Sequence, residues 1–281
     1  MRALVRNPDN AQQLTNLGVT LVQGDLDDTA ALQQLVAGSA AVIHAAGAVR
    51  GRSQADFDHI NVSGCANVLA AIDAHAASAR LLLVSSLAAR EPQLSWYSAS
   101  KRAGEDLVSG HPDLDWVVIR PPAVYGPGDR EMLPVFQWMA RGIAFVPGNP
   151  TARTSLIHVT DLVTAILACL QSAASRHQVL SLCDGQPGGY NWHEMAAAAA
   201  ATWGRTVRLW QVPTWLLNTV AQVNVYTARL TGAAPMLTPA KLRELRHNDW
   251  VVDNTAITAA TGWEPTTSLS EGLQQLRKAE L

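Results

Sequence analysis

The sequence is poor in the residues that mark special environments. Its 281 residues include three cysteines, Cys65, Cys169 and Cys183. They stand far apart and fit no metal spacing, so they read as buried thiols of a reducing compartment, and a cytoplasmic location is expected. The eight histidines show no ligand spacing either, so a metal enzyme is not expected. Charge is sparse, at 16% of residues, and nearly balanced at a net −2. With Lys and Arg spread out, nothing marks a nucleic-acid groove or an anionic membrane surface. Met1-Arg2-Ala3-Leu4-Val5-Arg6 is too short for a signal peptide and runs into polar residues. No run is long and apolar enough for a membrane span. A long uncharged stretch, between Arg208 and Arg229, is interrupted by Pro213, Asn218, Gln222 and Asn224. It reads as a helix lining a pocket or an interface, with a lipid-facing surface helix as the alternative.

Hydrophobic residues make up 48% of the chain, enough for one large domain or a core domain with a smaller lobe. Short apolar runs alternate with helical patterns through the first half. Strands are expected at Ala3 to Val5, Val19 to Val22, Ala40 to His44, Arg80 to Val84 and Trp116 to Ile119. Helices are expected from His59 to Ala76 and from Tyr97 to Val108. The run at 80–84 is almost wholly aliphatic, as a strand covered on both faces requires. This alternation predicts an α/β fold with a parallel sheet between helical layers. Leu156 to Leu170 reads as a strand entering a helix, and Val179 to Leu182 as one more core strand. From Gly188 the chain is mainly helical. Six of the nine tryptophans stand at or beyond Trp192, which suits a lid over the sheet's carboxyl edge or a small separate core.

Tyr97-Ser98-Ala99-Ser100-Lys101 carries the strongest chemical signal. Tyr and Lys four apart share a helix face. A free phenol, with a pKa of about 10, is a poor base at neutral pH. A neighbouring ammonium favours the phenolate, so the pair reads as a proton relay for a carbonyl or alcohol; two surface residues are the plain alternative. Val84-Ser85-Ser86 ends the aliphatic strand just before, at the edge where open parallel sheets meet their ligands. A serine there can donate to a substrate oxygen or serve as a helix cap.

These segments, with Arg120-Pro121-Pro122-Ala123-Val124-Tyr125-Gly126-Pro127-Gly128 after the next strand, resemble the extended short-chain dehydrogenase/reductase superfamily, which includes the NAD-dependent epimerase/dehydratase-like proteins. Gly24-Asp25-Leu26, His44-Ala45-Ala46-Gly47, Asn61-Val62-Ser63-Gly64, His158-Val159-Thr160-Asp161-Leu162 and Gly262-Trp263-Glu264-Pro265 match in order, over nearly the whole chain. The resemblance implies a Rossmann-like doubly wound sheet, formed by 1–125 with 155–183, and a smaller, mainly helical substrate lobe formed by 126–154 with 184–281. It implies Tyr97 as acid/base, Lys101 as holder of the nicotinamide ribose, and Ser86 as the donor to the substrate oxygen. Asp25 and Leu26 would meet the adenine. Ala45, Ala46 and Gly47 would let backbone approach the cofactor, and Pro121 and Pro122 would shape the nicotinamide pocket. Asn61 would order backbone near the lysine or cap its helix, while His158 and Asp161 are assigned to packing and capping. Arg6 would favour NADP over NAD by meeting a 2′-phosphate, or stand solvated. A small-molecule substrate is expected, and a homodimer by analogy.

One family element is missing. Its members begin with a strand, a G-x-x-G-x-x-G turn and a helix, which seat the cofactor's pyrophosphate. No such spacing occurs here, and Met1 stands where the second strand would begin, so a unit of roughly 30 residues is absent. The expectation is that the sequence starts inside a longer product. A damaged gene product, or a strand supplied by a partner chain, are the alternatives. On function, the leading expectation is an NAD(P)-dependent oxidoreductase acting on a carbonyl or alcohol. A sugar-nucleotide epimerase is the alternative, with Arg205, Arg208, Arg243 and Arg246 as diphosphate ligands rather than solvated helix faces. Dehydratase chemistry is disfavoured, because Leu87-Ala88-Ala89 replaces the Asp-Glu pair of such enzymes. A non-catalytic remnant is the third reading.

Overall fold

The computed structural model describes residues 1–231, 235 and 237–279. The chain opens with β1 (Arg2–Val5), α1 (Gln12–Asn16), β2 (Thr20–Gln23), α2 (Thr29–Val36) and β3 (Ala41–His44). It continues through α3 (Gln54–Asp58), α4 (Gly64–His75), β4 (Arg80–Val84), α5 (Trp96–Ser109) and β5 (Trp116–Arg120). A second group follows: β6 (Ala123–Tyr125), α6 (Leu133–Ala140), β7 (Ile143–Val146), β8 (Arg153–Thr154), β9 (Leu156–His158), α7 (Val159–Gln171) and β10 (Gln178–Ser181). The last stretch holds α8 (Trp192–Trp203), β11 (Arg208–Gln211), α9 (Thr214–Thr231), α10 (Pro239–Leu245), β12 (Asp249–Trp250), α11 (Thr255–Thr261) and α12 (Leu269–Ala279).

The central sheet is parallel, in the order β10-β5-β4-β3. Successive side chains of its strands go to opposite layers. Leu81, Leu83, Trp116 and Val118 join a core with α2, α4 and α5. Leu82, Val117, Ile119 and Leu180 join another with α7 and α11. The aliphatic strands are therefore covered on both faces, which is why they lack polar alternation. β1 and β2 form their own parallel pair. Leu4, Leu26 and Leu35 pack it against the first core, and the Arg2 guanidinium binds the carbonyls of Gln34 and Ala37. Among the described residues β1 pairs only with β2, and β3 only with β4, so each keeps one open edge. On that part of β3, Ile43 is 45% exposed.

A third core, built on Tyr125, Phe136, Met139, Leu156, Met195, Leu269 and Leu273, lies in the lobe beyond β5. Its short parallel pairs β6–β9, β7–β11 and β8–β12 have only two to four residues per strand, too few to leave a readable pattern. Asn191 and Glu194 close a capping box on α8. Ile257, Ala260 and Trp263, from and just after α11, pack in the core beneath α7. Among the described residues no helix is long and apolar enough to cross a membrane.

Candidate active site

Ser86, Tyr97 and Lys101 come together because β4 and α5 end and begin at the same edge of the sheet. The Ser95 hydroxyl caps α5 by accepting from Ser98 N at 3.0 Å, which places Tyr97 in the first turn and Lys101 one turn on. Lys101 is buried, and its Nζ donates to the Val84 carbonyl at 3.0 Å. Ser86 caps the short helical turn after β4, accepting from Ala88 N at 3.2 Å, and its hydroxyl is close enough to the Tyr97 phenol to act on its titration. Ser85 is buried and its Oγ has no hydrogen-bond partner.

Behind this trio lies a rigid backing. Asn61 sits in a π-helical turn, His59–Ser63, ahead of α4, a feature often found at functional sites. Its Oδ1 accepts from Ala48 N at 2.8 Å, and its Nδ2 donates to Ala48 O at 3.1 Å and to Ser100 Oγ at 2.8 Å. Asn61 therefore orders the loop after β3 rather than capping a helix. Gly47 lies in that loop, and a Cβ there would come within 3.1 Å of both Asn61 Oδ1 and Lys101 Nζ. On the far side of α5, Glu105 receives the Arg120 guanidinium at 2.9 Å and is itself buried.

The electrostatics correct one expectation. The Tyr97 phenol is not depressed; burial pushes it up to about 12, with Glu244 and Glu131 adding to the rise and Ser86 working against it. Lys101 is not among the groups acting on it, because its ammonium is turned to the Val84 carbonyl. Burial lowers Lys101 below the ordinary lysine value, with Cys65 and Glu105 opposing. His44, buried at the end of β3, falls to about 4 through burial and the nearby Lys101.

The remaining candidates fall into other places. Pro121 and Pro122 are buried at the end of β5, where Pro121 O accepts from Leu87 N at 2.8 Å. Ala45, Ala46 and Gly47 line the exposed loop leaving β3. Arg6 is exposed just past β1. Asp25 is also exposed and accepts from Asp27 N at 2.9 Å. Leu26 packs over Gly64, and its carbonyl accepts from Asn67 Nδ2 at 2.8 Å. His158 caps α7 and packs edge-on against Tyr125, 5.4 Å between ring centres. Asp161 ties α7 to the backbone amides of Thr266 and Thr267.

Two groups escaped the sequence reading. Glu244 of α10 is buried and accepts from the hydroxyls of Ser95 and Ser98. Lys241, 3.0 Å from the Glu244 carboxylate, stands 5.6 Å from the Tyr97 ring centre. Nothing local in the sequence relates positions almost 150 residues apart; only the N-cap signature at Ser95 was there to see. With Val49, Arg50, Phe57 and Thr238 these residues line a cleft at Tyr97. Of the four arginines considered for a diphosphate, two are otherwise engaged: Arg243 donates to Leu94 O at 2.9 Å and Arg246 to Pro147 O at 3.0 Å, while Arg205 and Arg208 are exposed.

A nicotinamide cofactor fits the part of its seat that these residues supply. Gly47 leaves close access beside Lys101, and the unpartnered Ser85 hydroxyl lies at the same strand end. Comparison with known proteins agrees. Residues 1–172 match a family model described as NAD(P)H-binding. A ceramide reductase of Caulobacter vibrioides is 39% identical over 89% of this chain and 77% of its own length. A 4-hydroxy-2-methyl-3-oxo-4-farnesyl-3,4-dihydroquinoline-1-oxide ketoreductase of Stigmatella aurantiaca is 30% identical, over 66% of this chain and 61% of its own length. The fold matches the structure of RMD from Pseudomonas aeruginosa complexed with NADPH, at a TM-score of 0.70 and 20% identity, over 99% of this chain and 98% of that one. The chain thus belongs to the NAD(P)H-binding, short-chain dehydrogenase/reductase-like superfamily of oxidoreductase- and epimerase-type enzymes.

Proposed function

We propose that this protein is an NAD(P)-dependent ketoreductase that uses Ser86, Tyr97 and Lys101 to reduce a carbonyl on an apolar, long-chain substrate. The observation that carries the reading is the meeting of Ser86, Tyr97 and Lys101 at the carboxyl end of β4, on a cleft that Tyr97 lines. The phenol is protonated at neutral pH, as reduction of a carbonyl oxygen to an alcohol requires. A bound dihydronicotinamide supplies the hydride. Ser86 donates to the carbonyl oxygen, Tyr97 passes its proton to that oxygen, and the buried Lys101 ammonium steadies the charge that develops there. Ala45, Ala46, Gly47, Pro121 and Pro122 would hold the nicotinamide end of the cofactor, with Arg6, Asp25 and Leu26 toward its adenosine. Among the described residues no glycine-rich turn stands ready for the pyrophosphate.

The substrate class rests on two supports. The relatives named above act on a ceramide and on a farnesylated ring. The cleft at Tyr97 presents Val49 and Phe57, while Arg50 is paired with Glu131 at 2.7 Å and Arg243 with a carbonyl. A sugar diphosphate finds little free positive charge there, which favours reductase over epimerase. The test is oxidation of NADPH or NADH with long-chain 3-keto lipids, in the native protein and in Tyr97→Phe. Loss of roughly 10³-fold in turnover with an unchanged fold is expected. Near-native turnover in that variant would end the assignment.

A further inference from the structure

We propose that the outward face of α9, with the aromatic cluster on β11, is a docking surface for an anionic lipid bilayer. Helix α9 carries apolar side chains on two sides. Ala221 and Ala228 are buried and Leu217 and Val225 half-buried, which defines the face packed on the protein. At 100° per residue the opposite face carries Trp215, Leu216, Val220, Val223 and Tyr226, with the exposed Thr219 and Gln222 between them. The five apolar and aromatic side chains are 69%, 39%, 42%, 54% and 64% exposed. A helix solvated by water is polar on that side.

A second group of aromatic side chains stands on α6, β7 and β11. Trp210 of β11 is 62% exposed and lies 5.6 Å from Phe145, whose other neighbour Trp138 meets it edge-on at 5.1 Å. The exposed Arg141 guanidinium stacks on Trp138, 5.1 Å from the ring centre. Tryptophan, tyrosine and arginine rimming an aliphatic stripe match the layered chemistry of a bilayer interface.

Charge selects the occupant. From Met195 to Arg243 the sequence has no Asp or Glu. Arg205 and Arg208 are exposed, as is Arg141 on Trp138. The near-neutral total charge of the chain conceals these basic positions. A surface of anionic headgroups complements them. A second copy does not, since a two-fold pairing through α9 would set the same basic rim against itself. Beyond α9, Pro235, Thr238 and Lys241 line the Tyr97 cleft. The surface itself is read from α9 and β11 and does not depend on the reductase assignment.

Sedimentation of the 281-residue protein with lipid vesicles tests the proposal, using phosphatidylcholine alone and phosphatidylcholine with about three parts in ten phosphatidylglycerol. The expected result is binding to the anionic vesicles, weaker binding to neutral ones, and release by high salt. Trp215→Glu with Val223→Glu should lower the partition about tenfold or more. Tyr226→Lys should lower it less, and Arg208→Glu should reduce only the anionic preference. All four side chains are exposed, so circular dichroism and thermal midpoint should stay as in the parent. Three results would overturn the proposal: no sedimentation with either vesicle, equal partition on both, or partition indifferent to the α9 substitutions. So would a dimer in sedimentation velocity that Trp215→Glu with Val223→Glu dissociates, which would give the face to a second copy. The measurement needs neither cofactor nor turnover, so it stands or falls apart from the activity.

Discussion

Tyr97 and His44 show how burial sets the protonation of two groups around one lysine. The Tyr97 phenol rises from 10 to about 12. The unfolded chain therefore releases this proton before the folded one does, and stability should fall as pH climbs from about 10 to about 12. Reduction should accordingly keep its rate up to about pH 10, since the acid stays protonated. Stopped-flow rates across that range check this; an alkaline fall near neutrality would contradict the raised pKa of the phenol. His44 behaves oppositely. Its pKa drops from 6.5 to about 4, so the unfolded chain takes up a proton first and stability should fall as pH drops through that window. The slope is about 1.4 kcal/mol per pH unit for one proton. Urea midpoints at several pH values should show it, and His44→Gln should flatten it. At this scale the sequence marked Ser86, Tyr97 and Lys101 as candidates, which the structure brings to one edge of the sheet, but it did not reveal the direction of the phenol's shift. Spacing reveals that Lys101 shares a face with Tyr97; it does not reveal that Val84 O holds the ammonium.

The elements around α5 divide into those a local pattern reveals and those it cannot. The strand at 80–84 and the helix from 96 to 109 follow from aliphatic runs and from the Ser95 cap. The π-turn at 59–63 does not, because a helical period continues through it without a visible break. The short lobe strands hide for a similar reason, each having two to four residues. What fixes α5 is tertiary. Arg120 grips Glu105 with both carboxylate oxygens, and Arg120→Met should leave a buried carboxylate unpaired, at about 3–5 kcal/mol. Chemical denaturation would measure the loss, and Arg120→Met with Glu105→Leu should recover much of it. At the other end Ser95→Ala removes the cap and should cost about 1 kcal/mol. Glu244→Gln should disturb the same helix start and, by removing a negative charge, bring the Tyr97 phenol back toward its ordinary value. A pH–rate profile separates that electrostatic effect from a simple loss of stability.

Across the whole molecule the lobe is tied to the sheet by arginines that reach backbone. Arg90 donates to Val251 O at 2.9 Å and also to Asp249 O, and it stacks on Trp250 at 5.6 Å. Arg243 reaches back to Leu94 O. Arg90→Ala should therefore speed amide exchange in 239–251 while β4 and β5 stay protected; uniform acceleration would mean that the two regions open as one. None of these ties is visible in the sequence, where such arginines read as solvated. The three thiols give the molecule an internal set of reporters. Cys65 lies under α5, near Gly104 O; Cys169 is in the layer of α7; Cys183 sits at the lobe junction against Val252 O. All three are buried, and burial raises each of them, Cys65 and Cys169 to about 11. An alkylating reagent can reach them only when their surroundings open, since the reactive form is the exposed thiolate. The rate at which each is labelled in the native protein therefore times the opening of a different region, without the introduction of a single foreign residue.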